Sequence, residues 1–190
     1  LYSRQVAMVR ADSDYTELSQ LAGKRAAVQA SSTAEKALLP EGIDPKAIFR
    51  MYVSPLLPLN LDNHNRIPTS YLRLLRRIVR DYETRGASVQ HTLAMWDSVQ
   101  RGEKRWIFPY QENADVIFNS SLLYELAVLK KHIFPLLNAV TWEDPCYEEV
   151  RSIVKVLNYV LEADPEEEIP PTSLLREFIG GNSFYRQKAK

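Results

Sequence analysis

Two short apolar segments, far apart in the chain, place the strongest constraint on its fold. Residues Ile48 to Ser54 (IFRMYVS) and Ala114 to Asn119 (ADVIFN) have the length and composition of β-strands. The chain between them is patterned mainly as helix, and a helix-rich crossover joins strands that run parallel. The sequence therefore predicts an α/β fold in which these two segments are parallel neighbours or near-neighbours in one sheet.

Amphipathic helices are predicted to flank this sheet. The clearest runs from Thr69 to Glu83, with apolar residues on one side and arginines on the other. A second runs from Ser88 to Val99 and is broken at Gly102. The C-terminal part is predicted to be helical, with helices over Leu122 to Lys131, Tyr147 to Leu161 and Thr172 to Ile179.

The N-terminal part has a different pattern. Strands are predicted at Gln5 to Arg10 and Arg25 to Ala30, with one or two helical turns at Thr16 to Leu21. Two prolines and a glycine interrupt the chain between Leu39 and Pro45. We therefore expect two parts, residues 1–37 and residues 38–190.

Composition limits the classes of partner. Lys plus Arg and Asp plus Glu number 24 each, so no global field favours nucleic acid or an anionic membrane. No apolar run is long enough to span a membrane, and the single cysteine, Cys146, fits a reducing compartment. We expect a cytoplasmic protein, and self-association into a homo-oligomer stays open.

A cluster of arginines on the first predicted helix is the main candidate site. Arg73, Arg77 and Arg80 share one face by their spacing, Arg76 lies one step round, and Arg85 follows just past the predicted end. Guanidinium groups suit bidentate phosphate contacts. Spacing alone favours the alternative, a solvated face held by ion pairs.

A series of motifs along the chain favours the phosphate-binding interpretation of the arginines, because together these motifs resemble one family. Arg77 to Gly86 (RIVRDYETRG) is similar to the lid helix of uridine kinases. Taken together with the motifs below, residues 38–190 resemble bacterial nucleoside kinases of the uridine kinase and phosphoribulokinase group. The other motifs that carry the likeness are Tyr52 to Ser54, Leu59 to Pro68 (LNLDNHNRIP), Trp106 to Asp115 (WIFPYQENAD) and Arg176 to Gly181 (REFIGG).

The resemblance implies the C-terminal, lid-bearing part of a P-loop-kinase-like fold that uses ATP and Mg²⁺ to phosphorylate a nucleoside. Arg80 and Arg85 match lid positions that bind the nucleotide phosphates, and Arg77 matches a catalytic position near the acceptor and the transferred group. Where better-known uridine kinases place an arginine and a glutamine against the base, this chain has Ala87 and Met95. Uridine itself is therefore in doubt as the substrate.

The phosphate-binding loop of such kinases does not occur in these 190 residues. No G-x-x-x-x-G-K-[ST] string is present, and Gly23-Lys24-Arg25 lacks the upstream glycine and the hydroxyl. We expect this chain by itself to be inactive. A fusion, a recombined chain and an incomplete chain stay open as explanations.

A second resemblance concerns the N-terminal part. The stretch from Gln5 to Glu35, which makes up most of residues 1–37, is similar to a segment of amino-acid-type solute-binding proteins, in which Ser32 and Thr33 would hold a ligand carboxylate. This supports an alternative function, a non-enzymatic binding or interaction module. That module would be either a solute-binding remnant for a small amino acid or a partner surface on the helices from Leu122 to Leu161. Helix caps of the same composition are mostly structural.

The remaining polar and aromatic residues are interpreted as structural, and no metal site is predicted. His64 belongs to a polar loop, Glu125 and Lys130 fit a solvated helix face, and Cys146 has no nearby histidine that would make it a nucleophile. The three tryptophans are interpreted as core and lid packing; they are Trp96, Trp106 and Trp142.

Overall fold

A computed structural model of the chain describes residues 14, 17–21, 24, 26–29 and 48–184. The chain divides into two compact units, one made of Leu1–Ser54 and Gln100–Asn119 and the other of Pro55–Val99 and Ser120–Lys190. The predicted strand at Gln5 to Arg10 and the boundary near residue 38 lie outside the described residues. That boundary stays a prediction.

A parallel three-stranded sheet belongs to the first unit. Its strands are β1 (Ala26–Gln29), β2 (Ile48–Ser54) and β3 (Val116–Asn119), and β2 lies between the other two. Ala26 pairs with Ile48, and Met51 pairs with Val116, in parallel register. The predicted parallel arrangement of the two later strands is confirmed.

Short 3-10 helices accompany the sheet in this unit, at Leu18–Leu21 and Phe108–Asn113. The first falls within the turns predicted at residues 16–21. The second carries Pro109 at its start, where the missing backbone N–H costs least.

Helices make up the second unit. Helix α1 spans Thr69–Arg85, α3 spans Glu125–Asn138, α4 spans Tyr147–Asn158 and α5 spans Arg176–Ile179. Helix α2 spans Val89–Trp106, and the division between the units falls within it. The fold is α/β, with a small parallel sheet and flanking helices, consistent with a partial P-loop-kinase-like fold as predicted.

One apolar core holds the second unit together. Helix α1 packs against α3 and α5, and α3 packs against α4. Leu72, Leu129 and Leu157 from three different helices are fully buried there. Burial of this kind stabilises by roughly 1.5–3 kcal/mol for each such side chain. The core residues are Leu57, Ile67, Leu72, Leu74, Leu75, Ile78, Val79, Val89, Leu93, Trp96, Leu126, Val128, Leu129, Ile133, Leu137, Val140, Val150, Ile153, Val154, Leu157, Ile169, Leu175 and Phe178.

Several predicted helix ends were wrong. Helix α4 ends at Asn158 and not at Leu161, and α5 begins at Arg176 and not at Thr172. Helix α2 continues through Gly102 to Trp106, because a single helical glycine lowers stability by only about 1 kcal/mol relative to alanine. Helix α3 begins later than predicted and continues past Lys131, through the exposed Pro135, to Asn138. Burial of Ile133 and Leu137 on either side of the proline offsets its missing backbone donor.

Candidate functional site

The C-terminal end of α1 positions the predicted arginines. The helix ends at Gly86, whose φ of 63° lies in the left-handed region that glycine adopts without strain. The backbone N–H groups of Gly86 and Ala87 donate to the carbonyls of Tyr82 and Asp81, both at 3.1 Å. This cap places Arg85 in the last turn of the helix, next to the other arginines.

Three of the arginines converge on one carboxylate. Arg77 Nε lies 3.3 Å from Asp81 Oδ2, and Arg80 Nε lies 3.5 Å from Asp81 Oδ1. Arg85 Nη1 donates a hydrogen bond to Asp81 Oδ1 at 2.9 Å. We call these four residues the Asp81 cluster. Their arrangement brings together all three arginines that the sequence singled out as site residues, around an acidic residue that it did not.

The Asp81 cluster carries more positive than negative charge. Three guanidinium groups share one carboxylate, and the Asp81 side chain is 7% exposed, whereas that of Arg77 is 25% and that of Arg85 is 59% exposed. The Nε atoms of Arg77 and Arg80 are buried and make no hydrogen bond within the described part of the chain. A partly buried group of three cations that shares one carboxylate keeps a net positive charge, which attracts anions.

Arg76 takes a different path and enters the core. It is paired with the fully buried Glu125 through Nε and, at 2.7 Å, through Nη2 to Glu125 Oε2. Its Nη2 also donates to the carbonyl of Ser120 at 2.8 Å, and its guanidinium lies 5.2 Å from the ring centroid of Phe178. These contacts tie α1 to α3 and α5, which fixes the helix that carries the Asp81 cluster.

The prediction that Glu125 lies on a solvated face was wrong. Glu125 accepts from Arg76 and also from the backbone N–H of Leu122 at 3.2 Å, so its charge is paired although it is fully buried. The signal was in the sequence. Arg76 lies four residues after Leu72 and three before Val79, on the apolar stripe, where an arginine needs a buried acidic partner. Lys130 is half-buried and donates to the Val160 carbonyl at 2.8 Å.

The motif from Leu59 to Pro68 forms a tight polar loop closed by Asp62. The Asp62 carboxylate accepts from Asn65 Nδ2 and from the backbone N–H groups of His64 and Asn65, at 2.7 to 2.8 Å. The side-chain hydrogen bond from Asn65, followed by those backbone donors, lowers the pKa of Asp62. His64 is exposed on this loop, as predicted.

The motif from Arg176 to Gly181 has a structural role in the second unit. Arg176 Nη2 donates to the carbonyl of Glu166 and, at 2.8 Å, to that of Ile169. These hydrogen bonds tie the segment from Glu166 to Ile169 to α5. Gly181 has a φ of 74°, and a side chain there would come within 3.3 Å of Arg176 Nη1. The motif therefore closes the packing around α5.

The other residues singled out from sequence have mixed outcomes. Ser32 and Thr33 lie outside the described residues. Trp96 is buried as predicted, but Trp106 and Trp142 are 59% and 76% exposed, so their interpretation as packing residues was wrong. The exposed ring of Trp106 is partly covered by the guanidinium of Arg105, which lies 4.8 Å from the ring centroid.

Burial raises the pKa of the Cys146 thiol, and nearby Asp144 and Glu149 act in the same direction. A raised thiol pKa lowers the fraction of reactive thiolate at neutral pH. No three His, Cys, Asp or Glu side chains within the described residues are grouped closely enough to hold a metal ion. In the same part of the chain, no helix is long and apolar enough to span a membrane.

A parallel sheet and a helix-borne cluster of arginines are compatible with α/β proteins that bind phosphate. The family model described as Phosphoribulokinase / Uridine kinase family matches residues 23–125, more than half of the chain. The chain belongs to the phosphoribulokinase/uridine kinase family. No curated protein and no solved structure matches the chain.

This match corrects the interpretation of the N-terminal part. It begins at residue 23, inside the segment compared above with solute-binding proteins. That second resemblance finds no support, and neither does the alternative function that depended on it. The matched range includes the whole of α1 and so contains the Asp81 cluster.

Proposed function

We propose that this protein is nucleoside-kinase-like and that its Asp81 cluster binds the phosphates of a nucleoside triphosphate. The observation that carries the proposal is the convergence of Arg77, Arg80 and Arg85 on one point at the end of α1. Phosphoryl transfer depends on positioning and on neutralising charge that is spread over phosphate oxygens. Guanidinium groups supply both, through paired donors and a permanent positive charge.

The roles of the three arginines follow the resemblance of this helix to a kinase lid. Arg80 and Arg85 are assigned to the nucleotide phosphates, and Arg77 to the acceptor and the transferred group. Side-chain exposure supports separate roles for the three arginines, since the Arg85 side chain is the most exposed and the Arg77 side chain the least. A phosphate chain approaching from solvent would meet Arg85 first.

The acceptor is proposed to be a nucleoside other than uridine. Ala87 and Met95 stand where better-known uridine kinases have polar side chains against the base, and Met95 is exposed on α2. Neither can supply a hydrogen bond from its side chain to a uracil edge. The nucleobase class is therefore open to direct measurement.

The side chains of the described residues suit the phosphates of ATP better than they suit a Mg²⁺ ion. The Asp81 cluster offers guanidinium donors for phosphate oxygens, whereas no described group of acidic side chains fits a cation. No residue is therefore assigned to Mg²⁺. A cytoplasmic location, where nucleoside triphosphates are available, is part of the proposal.

Isothermal titration tests the proposal. The chain should give saturable heat with ATP and none with a panel of amino acids, since the first ligand carries phosphates and the second does not. Heat with an amino acid and none with ATP would overturn the kinase-like assignment and return the non-enzymatic alternative. As a control, ATP is replaced by inorganic tripolyphosphate, which carries the phosphates but no nucleoside and should also give saturable heat.

A further inference from the structure

We infer that Asp81 is a positioning residue, whose carboxylate holds the guanidinium groups of Arg77, Arg80 and Arg85 ready to receive phosphate. The inference rests on the proposed phosphate-binding function of the cluster. It adds an acidic residue to a site whose ligand is itself anionic. An acidic residue in that place needs a physical reason.

The Asp81 side chain is fixed in place. It belongs to the last two turns of α1, and it is 7% exposed. Within the described residues, its carboxylate contacts are with arginines alone, at 2.9 to 3.5 Å. A buried carboxylate that is held by helix backbone gives three long, flexible side chains a common anchor point.

The contacts reach only part of each guanidinium group. Arg77 and Arg80 approach Asp81 through Nε, the nitrogen nearest the backbone. Their Nη groups make no hydrogen bond to another described residue. An arginine has five N–H donors in a rigid fork, so holding the Nε side leaves the outer donors oriented and free for phosphate oxygens. The order of these side chains is established before the ligand arrives, which lowers the entropy cost of binding.

A positioning role for Asp81 and a purely electrostatic role predict opposite changes in anion affinity when Asp81 is replaced by a neutral residue. If only charge mattered, replacing Asp81 by a neutral residue would make the cluster more positive and tighten anion binding. If Asp81 positions the arginines, the same change releases them and weakens binding. Glu83 provides a matched control, because it is exposed on the same helix, two residues away, and its side chain makes no ion pair or hydrogen bond within the described residues.

The test is isothermal titration with inorganic tripolyphosphate, using the chain and its Asp81→Asn and Glu83→Gln variants. We expect Asp81→Asn to bind about tenfold more weakly, while Glu83→Gln binds within about twofold of the parent chain. Circular dichroism of each variant checks that the helices are retained. Equal or tighter binding by a folded Asp81→Asn variant would overturn the inference.

A second measurement uses the unmodified chain and so does not depend on the variant folding. Relaxation of the arginine Nε–H groups by NMR should show Arg77 and Arg80 to be ordered without ligand, and Arg151, which is exposed on α4, to be mobile. Equal mobility of all three would overturn the inference. If the parent chain does not bind tripolyphosphate, the proposed function fails and this role fails with it. If the parent chain binds and Asp81→Asn binds as tightly as the parent, the proposed function stands and only the positioning role fails.

Discussion

Two adjacent arginines on α1 have opposite environments, and sequence spacing explains why. Arg76 lies on the apolar stripe and is buried against Glu125, whereas Arg77 lies on the next face and contacts Asp81 from a partly exposed position. A one-residue step turns the side chain by about 100° around a helix, which moves it from the core to the surface. The same residue type therefore stabilises the fold at one position and forms the candidate site at the next.

Breaking the Arg76 to Glu125 pair should be costly. Arg76→Met leaves the Glu125 carboxylate buried without its cation, and we expect a loss of about 3–5 kcal/mol in the free energy of unfolding, measured by urea denaturation. The double variant Arg76→Met/Glu125→Leu should recover most of that loss, because no charge is then left unpaired. Arg151→Met, at an exposed position, serves as the control. A single variant as stable as the control would show that the pair contributes little.

The loop closed by Asp62 should respond to acid. The pKa of Asp62 is lowered in the folded chain by hydrogen bonds from Asn65 and His64. The ionised carboxylate therefore stabilises the folded loop above the pKa that Asp62 has in the unfolded chain, and this stabilisation is lost as the pH falls through the folded-state pKa. We expect the amide resonances of His64 and Asn65 to shift below about pH 4 as the loop loosens. Asp62→Ala should abolish that dependence. Amide shifts that persist unchanged in this variant would assign the transition to another group.

Two glycines test where the helices end: Gly86 caps the C-terminal end of α1, and Gly102 lies within α2, which continues past it. Gly86 has a φ of 63°, whereas Gly102 lies within α2, and a side chain at either site meets nothing within 4 Å. Gly86→Ala should therefore lose about 1 kcal/mol through backbone strain, and Gly102→Ala should gain about 0.5–1 kcal/mol through helix propensity. Thermal unfolding of the two variants should shift in opposite directions. A loss at Gly102 would mean that the helix does break there.

The positions of the strands and of α1 could be predicted because their patterns are local. Strand β2 occupies the predicted residues Ile48–Ser54, and α1 begins at the predicted Thr69. The ends of α2 and α3 could not, because Gly102 and Pro135 are local helix breakers whose cost is offset by the rest of the helix. Propensity is a weak preference that tertiary packing overrides.

For the candidate site, sequence identified the arginines and missed their acidic partner. Arg77, Arg80 and Arg85 stand at fixed spacing on one helix, which the sequence shows directly. The convergence on Asp81 depends on side-chain rotamers and on burial, which spacing does not encode. Asp81 stands on the same helix as the three arginines. Its four-residue separation from both Arg77 and Arg85 is the signal that an i, i+4 pairing rule could have used.

The chain as a whole should not phosphorylate nucleosides by itself. Its 190 residues contain no G-x-x-x-x-G-K-[ST] string, so the arginines would neutralise a phosphate that no loop holds in place. Positioning can lower a barrier by roughly 7–11 kcal/mol, which corresponds to many orders of magnitude in rate. We expect no transfer of labelled phosphate from ATP to uridine, cytidine or other nucleosides above background. Turnover that Arg80→Ala abolishes would show that another phosphate cradle exists.

The central claim is that the arginines of the Asp81 cluster bind phosphate, and ATP affinity across a set of alanine variants tests it most directly. Arg77→Ala, Arg80→Ala and Arg85→Ala should each weaken ATP binding by about tenfold, since each removes one charge-assisted contact. Arg151→Ala, which removes the same charge from an exposed position on α4, should change the affinity by less than about twofold. Equal effects of all four substitutions, or none, would contradict the claim and favour a solvated helix face held by ion pairs.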